Sequence, residues 1–213
     1  MKYGILFDLD GTLLDTLEDL KDSVNYALAQ YGCPLRTREQ VREAIGNGAR
    51  KLIERSLPGK ENDPPVDEVL ATYQAYYATH NQVKTAPYKG IPEALAKIGE
   101  KYPIAIVSNK HDSAVKPLCE SYFGSHIYAL GEVAGCPRKP APDMLYKGRD
   151  AIGVDTFIYV GDSEVDVVTA KNAGVKCLSV LWGFRDEAAI RANGGEYFCD
   201  DPEKLPEMLE SMM

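Results

Sequence analysis

The sequence predicts an α/β fold, namely a doubly wound parallel sheet with a small helical domain inserted after its first strand. From Pro87 onward, short apolar runs typical of strands alternate with segments whose apolar residues have helical spacing. Residues 15–83 contain several helical patterns and no convincing strand. Because strands and helices alternate in the longer part, we expect parallel strands joined by right-handed crossovers.

The first predicted strand leads directly to two carboxylates. Residues 3–7 form an apolar run of strand length, and Gly11 ends the extended pattern. Asp8 and Asp10 therefore lie at the carboxyl end of the strand, where open α/β sheets bind ligands. Alternation along an extended chain directs both side chains to the same side. Two such charges repel each other unless a cation lies between them or one carboxyl is protonated.

The inserted segment is predicted to be a helical domain. Its predicted helices cover residues 16–31, 49–57 and 66–77, and a further helix follows Thr37. Thr37 can cap that helix because Gln40 stands at the capping-box position. We assign residues 15–83 to this domain, and residues 1–14 and 84–213 to the core domain.

The later strands also end in polar residues. After residue 87, the predicted strands cover 103–107, 126–130, 156–160 and 175–181, and the predicted helices cover 91–101, 112–123, 142–152 and 163–173. Ser108 follows one strand, Asp162 follows another, and Lys139 lies in a proline-rich turn. In a parallel sheet, these residues meet Asp8 and Asp10 at one edge. Carboxylates without a neighbouring His or Cys suit Mg²⁺, and a lysine with a hydroxyl completes a pocket for a phosphoryl group.

Composition narrows the class of partner. The net charge of −8 comes without a basic stripe, which argues against nucleic acid. Five cysteines without a C-x-x-C pair indicate reduced thiols. No apolar run approaches the length of a membrane span, and the N-terminal run reaches Asp8 too soon for a signal peptide. We expect a cytoplasmic monomer or homodimer that acts on a small molecule, without nucleic acid or membrane partners.

Four motifs in order resemble the haloacid dehalogenase (HAD) superfamily. They are Asp8-Leu9-Asp10-Gly11-Thr12-Leu13, Ser108-Asn109, Lys139 before Pro140, and Gly161-Asp162-Ser163-Glu164-Val165-Asp166. The resemblance covers essentially the whole chain and implies a HAD-like Rossmannoid core. The helical insert resembles the mobile cap domain of the first type in that family. Residues 45–49, 52–55 and 181–185 resemble in addition the phosphoglycolate phosphatases.

The resemblance implies how the first motif would act. Asp8 would be the nucleophile that forms an aspartyl-phosphate, and Asp10 would be the general acid and then the general base. The carboxylates of Asp8 and Asp162 and the backbone carbonyl of Asp10 would ligate Mg²⁺. The implied enzyme is a magnesium-dependent phosphatase of a small phosphorylated metabolite such as 2-phosphoglycolate.

The same resemblance assigns the groups around the phosphate. Ser108, the backbone N–H of Asn109 and Lys139 would hold the phosphoryl oxygens. Asp166, four residues after Asp162 in the following helix, would orient Lys139 or a metal-bound water.

The inserted domain contains a candidate site for substrate selection. Gly46, Asn47 and Gly48 precede a helix whose free N–H groups would favour an anion such as a carboxylate. Arg50 adds a positive charge in the first turn of that helix. A simple turn between two helices, with ordinary surface bases, is the alternative.

Four other functions compete with that of a phosphatase. A dehalogenase of the superfamily lacks the second aspartate of the first motif, so Asp10 argues against that activity. A β-phosphoglucomutase-like phosphosugar mutase would carry a cap histidine where this chain has Leu20. A pyrophosphatase stays open, and the intact motifs argue against an inactive interaction module.

Overall fold

The computed structural model describes all 213 residues, and the chain forms two compact units. One unit contains Met1–Asp15 and Pro87–Met213, and the other contains Thr16–Ala86. The sequence predicts that the helical unit covers residues 15–83. Its predicted start therefore lies one residue before the observed start, and its predicted end lies three residues before the observed end. No helix combines the length and the apolar character that crossing a membrane requires.

The two units together contain eight strands and ten α-helices. The strands are β1 (Tyr3–Phe7), β2 (Leu14–Asp15), β3 (Ala86–Pro87), β4 (Ile104–His111), β5 (Tyr128–Glu132), β6 (Thr156–Gly161), β7 (Cys177–Val180) and β8 (Tyr197–Cys199). The helices are α1 (Leu17–Gln30), α2 (Arg38–Ala44), α3 (Gly48–Ser56), α4 (Val66–His80), α5 (Ile91–Gly99), α6 (Asp112–Phe123), α7 (Asp143–Ile152), α8 (Glu164–Ala173), α9 (Glu187–Ala192) and α10 (Leu205–Ser211). A 3₁₀ turn at Pro202–Lys204 precedes α10.

The core unit is built on a six-stranded parallel sheet with the order β5-β4-β1-β6-β7-β8. The chain moves outward from β1 through β4 to β5, returns to β6 on the other side of β1, and continues outward to β8. The order therefore reverses beside β1, and ligands of open α/β sheets bind at such a reversal. This sheet confirms the predicted fold class.

The central position of β1 explains its apolar sequence. Phe7 is opposite Ile106 of β4 on one side and Val160 of β6 on the other, and all three side chains are buried. Strands covered on both faces have nearly continuous apolar sequences. Asp8, the next residue, is therefore held at the middle of the carboxyl edge, where its N–H donates to the carbonyl of Val160 over 2.8 Å.

Strand β4 continues beyond its predicted end at residue 107 and reaches His111. Its pairing with β5 is regular up to Val107 opposite Leu130 and resumes only at His111 opposite Glu132. Four steps along β4 thus match two steps along β5, which is the signature of a β-bulge. Bulges change the direction in which side chains point, and this one contains residues 108–110.

The last elements of the chain were not predicted from the sequence. Helix α9 has six residues and buries only Ile190, so it carries too little periodicity to be recognised. Strand β8 has three residues, and α10 has seven. Strand β8 extends the sheet, α9 contacts α8, and α10 contacts α5, and none of them contributes a predicted site residue.

The helical unit consists of α1 to α4. As predicted, Thr37 and Gln40 form a capping box at α2, in which each side chain accepts from the backbone N–H of the other residue, over 3.3 and 2.9 Å. Helices α1 and α4 pack against each other. Tyr73 and Tyr77 of α4 are buried with their rings stacked 5.5 Å apart.

One buried carboxylate ties the beginning of the helical unit to its end. Asp19, in the first turn of α1, is 2% exposed and accepts hydrogen bonds of 2.9–3.0 Å from the backbone N–H groups of Val83, Lys84 and Thr85. These N–H groups would otherwise lack partners at the point where the chain leaves the unit.

Replacing Asp19 by Ala should destabilise the protein, because it leaves three backbone N–H groups without an acceptor. We expect a loss of about 2–3 kcal/mol in the free energy of unfolding, measured by urea denaturation. The matched control is Asp22→Ala, which removes an exposed ion pair with Lys84 and should cost less than about 1 kcal/mol. Equal losses in the two variants would show that the Asp19 carboxylate does not hold this segment.

Candidate active site

The turn after β1 gives the site its shape. The carbonyl of Leu9 accepts hydrogen bonds of 3.0 Å from the N–H groups of Leu13 and Leu14. Gly11 has a positive φ of 82°, and a Cβ atom there would lie 2.3 Å from Asp162 Oδ2. Only glycine therefore allows both this conformation and this close approach.

Three carboxylates meet at the carboxyl edge of β1 and β6, and all are buried. One carboxylate oxygen from each of Asp8, Asp162 and Asp166 lies within 4.8 Å of the other two. Asp162 accepts from the hydroxyl of Thr12 over 3.3 Å and from the N–H of Phe184 over 2.7 Å. Burial, followed by the nearby charges of Asp166 and Asp8, raises the pKa of Asp162 well above its usual range.

Lys139 lies between two of these carboxylates. Its Nζ is 2.9 Å from Asp8 Oδ1 and 2.8 Å from Asp166 Oδ1, and the side chain is 2% exposed. Burial alone would lower the pKa of this ammonium group, but Asp166 and Asp8 raise it above its usual value. Lys139 is therefore protonated, and its charge partly offsets that of the carboxylates.

The carboxylate of Asp166 accepts hydrogen bonds from other groups of the protein. Its Oδ1 accepts from Lys139 Nζ and from the hydroxyl of Tyr159, each over 2.8 Å. Its Oδ2 accepts from the N–H and the hydroxyl of Ser163, over 3.2 and 2.6 Å. With four donors in place, Asp166 is placed to orient Lys139 and has little capacity left for a metal ion.

Tyr159 is a site residue that motif reasoning missed. It lies on β6 with its side chain fully buried, and its hydroxyl is 2.8 Å from both Lys139 Nζ and Asp166 Oδ1. Burial raises the pKa of this phenol well above its usual value, and the charge of Asp166 is the second-largest cause of the increase. The phenol is therefore neutral and serves as a donor to Asp166.

Asn109 fixes the loop that carries Lys139. Its side-chain amide donates to the carbonyl of Lys139 over 2.9 Å and accepts from the N–H of Lys139 over 2.8 Å. Ser108, which is also buried, accepts from the N–H of Lys110 over 3.2 Å. The structure thus brings Ser108, Asn109 and Lys139 together, as the sequence predicts. It adds a role for the Asn109 side chain that the sequence did not indicate.

A second lysine of the site, Lys110, pairs with Asp10. Lys110 Nζ lies 2.9 Å from Asp10 Oδ1, and the two side chains are 7% and 13% exposed. Sequence reasoning did not single out Lys110, although it directly follows the motif residues Ser108 and Asn109. Its position next to that motif was the only signal that could have found it.

The residues present fit a divalent cation. Four carboxyl groups share the site with only two ammonium groups, so full ionisation of the carboxyl groups leaves an excess of negative charge that a divalent cation would offset. No hydrogen-bond donor reaches Asp8 Oδ1 with suitable geometry, although Lys139 forms an ion pair with it. All candidate ligands are oxygen atoms, which Mg²⁺ prefers.

The residues predicted to select the substrate lie at the turn from α2 to α3 of the helical unit. Gly46 and Gly48 have positive φ angles of 121° and 81°. Asn47 accepts from Arg55 over 2.7 Å, and Arg50 forms an ion pair with Asp67. The charge of Arg50 is thus partly compensated within its own unit, and selection of the substrate by this turn stays a prediction.

Comparison with known proteins agrees with this arrangement. The family described as haloacid dehalogenase-like hydrolase matches residues 5–180. The phosphoglycolate phosphatase of Pseudomonas fluorescens (strain Pf0-1) is 32% identical over 212 residues, which cover 94% of this chain and 77% of that protein. The phosphoglycolate phosphatase of Haemophilus influenzae is 31% identical over 215 residues, which cover 95% of this chain and 96% of that protein.

A solved structure has the same fold over nearly the whole chain. The crystal structure from Lactobacillus delbrueckii subsp. bulgaricus, provisionally assigned as a phosphoglycolate phosphatase, superposes with a TM-score of 0.89 at 35% identity. The match covers 98% of this chain and 99% of that one. The chain therefore belongs to the haloacid dehalogenase-like hydrolase family and, within it, is similar to the phosphoglycolate phosphatases.

Proposed function

We propose that this phosphatase hydrolyses a small phosphate monoester through an aspartyl-phosphate on Asp8 and depends on Mg²⁺. The observation that carries the proposal is the buried contact of Asp8 with Lys139 beside Asp162. A carboxylate at a strand end can act as the nucleophile only where positive charge offsets both its own charge and that of the phosphoryl group.

In the first step, a carboxylate oxygen of Asp8 attacks phosphorus. A new O–P bond forms, the ester P–O bond breaks, and Asp10, which must be protonated in the enzyme–substrate complex, donates its proton to the leaving alcohol. Lys139, held by Asp166 and Tyr159, offsets charge on the phosphoryl oxygens. Ser108 and the N–H of Asn109 would bind these oxygens.

In the second step, Asp10 accepts a proton from a water molecule that attacks phosphorus. The bond from phosphorus to Asp8 breaks, inorganic phosphate leaves, and the Asp8 carboxylate is restored. Asp10 thus alternates between acid and base in the two steps and returns to its initial protonation state.

Asp8, Asp162 and the backbone carbonyl of Asp10 would hold the cation. When bound, Mg²⁺ supplies positive charge for the phosphoryl oxygens as they gain negative charge. Burial, partly offset by Lys139, raises the pKa of Asp8 to about 7. A cation beside Asp8 favours the ionised carboxylate that the first step requires.

The proposed substrate is 2-phosphoglycolate. The similarity to relatives named phosphoglycolate phosphatases supports this choice, and it extends over nearly the whole chain. The structure adds no observation in favour of a mutase, since Leu20 is a buried apolar residue of α1. A panel of phosphate esters assayed with Mg²⁺ tests the proposal, and 2-phosphoglycolate should have the highest kcat/KM.

Removal of the metal should abolish turnover. We expect no activity after treatment with EDTA, recovery with Mg²⁺, and inhibition by Ca²⁺, because Ca²⁺ takes more oxygen ligands at longer distances. The measurement is release of inorganic phosphate at each ion concentration. Full activity of the EDTA-treated, dialysed protein would contradict the proposed metal dependence.

The variant Asp8→Asn should lose its turnover while it stays folded. An amide is a poor nucleophile and carries no charge for a cation, so kcat should fall by on the order of a thousandfold or more. Asp150→Asn, an exposed position on α7, is the matched control and should keep its activity. Circular dichroism verifies the fold, and a folded Asp8→Asn protein with near-normal kcat would refute the mechanism.

Asn109→Ala should reduce kcat by acting through Lys139, since it removes both hydrogen bonds to the Lys139 backbone. We expect the effects of Asn109→Ala and Lys139→Ala on kcat/KM to be much less than additive in the double variant. The matched control is Asn172→Ala. The exposed Asn172 donates a hydrogen bond to the carbonyl of Pro140, the residue that follows Lys139, and the variant removes that bond. Full additivity would show that Asn109 acts independently of the lysine.

A further inference from the structure

We propose that Lys110 selects substrates whose leaving group carries a carboxylate, by forming an ion pair with that carboxylate beside Asp10. The inference rests on the proposed phosphatase reaction and deepens it by naming the residue that recognises the leaving group. Its basis is the ion pair of 2.9 Å between Lys110 Nζ and Asp10 Oδ1 at the edge of the sheet.

The fold directs Lys110 into the site. Residues 108–110 lie in the β-bulge where the pairing of β4 with β5 is irregular. Ser108 and Asn109 of this segment are buried, and the Lys110 side chain is only 7% exposed. A lysine of an ordinary strand end would extend into water, so its burial beside a carboxylate needs a reason.

The reaction places the leaving group next to this lysine. As general acid, Asp10 must lie within about 3 Å of the ester oxygen that it protonates. In a phosphorylated 2-hydroxy acid, one carbon atom separates this oxygen from the carboxylate, so the carboxylate oxygens lie about 3 Å from it. Lys110 Nζ is 2.9 Å from the same Asp10 carboxyl group and is therefore within reach of them.

The chemistry of an ammonium group allows both contacts. It has three N–H donors, so Lys110 can bind Asp10 and a substrate carboxylate at the same time. Lys139 already contacts Asp8, Asp166 and Tyr159. Lys110 therefore places a positive charge on the Asp10 side of the site.

The positive charge of Lys110 has its largest effect on binding when the leaving group is an anion. Such a group brings its carboxylate close to the Asp10 carboxyl group and to the phosphoryl oxygens, and like charges in a buried site repel strongly. A neutral alcohol meets no such barrier. Lys110 therefore favours phosphorylated 2-hydroxy acids over phosphate esters of neutral alcohols.

Two substrates of matched size test the inference. They are 2-phosphoglycolate and 2-hydroxyethyl phosphate, which differ by a carboxylate in place of a hydroxymethyl group. The variants are Lys110→Met, which keeps the length and removes the charge, and Lys110→Arg, which keeps the charge. Lys116→Met, an exposed lysine on α6, is the control.

In Lys110→Met, the ratio of kcat/KM for 2-phosphoglycolate to that for 2-hydroxyethyl phosphate should fall by about thirtyfold or more, mainly through KM. Lys110→Arg should restore most of the ratio, and Lys116→Met should leave it unchanged. In the wild type, glycolate should inhibit competitively at much lower concentration than ethylene glycol.

An equal loss on both substrates in Lys110→Met would overturn the inference, because Lys110 would then act only by positioning Asp10. Equal inhibition of the wild type by glycolate and ethylene glycol would overturn it without the use of a variant. In both cases, turnover by the wild type leaves the proposed phosphatase reaction intact. Failure of the wild type to hydrolyse either ester with Mg²⁺ would overturn the proposed function and the inference together.

Discussion

The structure depends on holding the carboxylates of Asp8, Asp162 and Asp166 together in a place with little access to water. Such a cluster is unfavourable by itself, because burial and mutual repulsion both oppose ionisation. Lys139 makes it tolerable by pairing with Asp8 and Asp166. The remaining excess of negative charge makes the site suited to a cation and to chemistry that needs one.

The sheet supplies this cluster by its topology. Asp8 follows β1, and Asp162 follows the neighbouring strand β6, so two carboxylates from distant parts of the sequence meet at one edge. Glycines permit the close approach of the surrounding loops, since a Cβ atom at Gly183 would lie 2.3 Å from Asp162 Cβ. The close packing of loops at the sheet edge therefore also brings the charged groups of the site together.

The sequence predicted those features that short segments determine. The strand before Asp8, the helix at residues 112–123 and the capping box of Thr37 are properties of local pattern, and the structure contains them. The order of the motif residues also indicated which strand ends would meet.

Features that depend on tertiary contacts could not be read from the pattern. The side-chain amide of Asn109 forms hydrogen bonds with the backbone of Lys139, thirty positions away. The hydroxyl of Tyr159 belongs to a strand whose sequence is typical of an apolar core. Lys110 is turned into the site by a bulge, which arises from pairing with β5 and leaves no mark in the sequence of β4. For these residues, a strand pattern predicts burial or exposure but not the partner.

If Asp8 is the nucleophile, it carries the phosphoryl group during turnover, and the acyl phosphate can be trapped on it. The enzyme would be quenched in the steady state with substrate and Mg²⁺ and reduced with borohydride, which converts an aspartyl-phosphate to homoserine. Peptide mass spectrometry then locates the modified residue. We expect homoserine at position 8 only in the sample with substrate, and reduction at a different residue during active turnover would contradict the role of Asp8 as nucleophile.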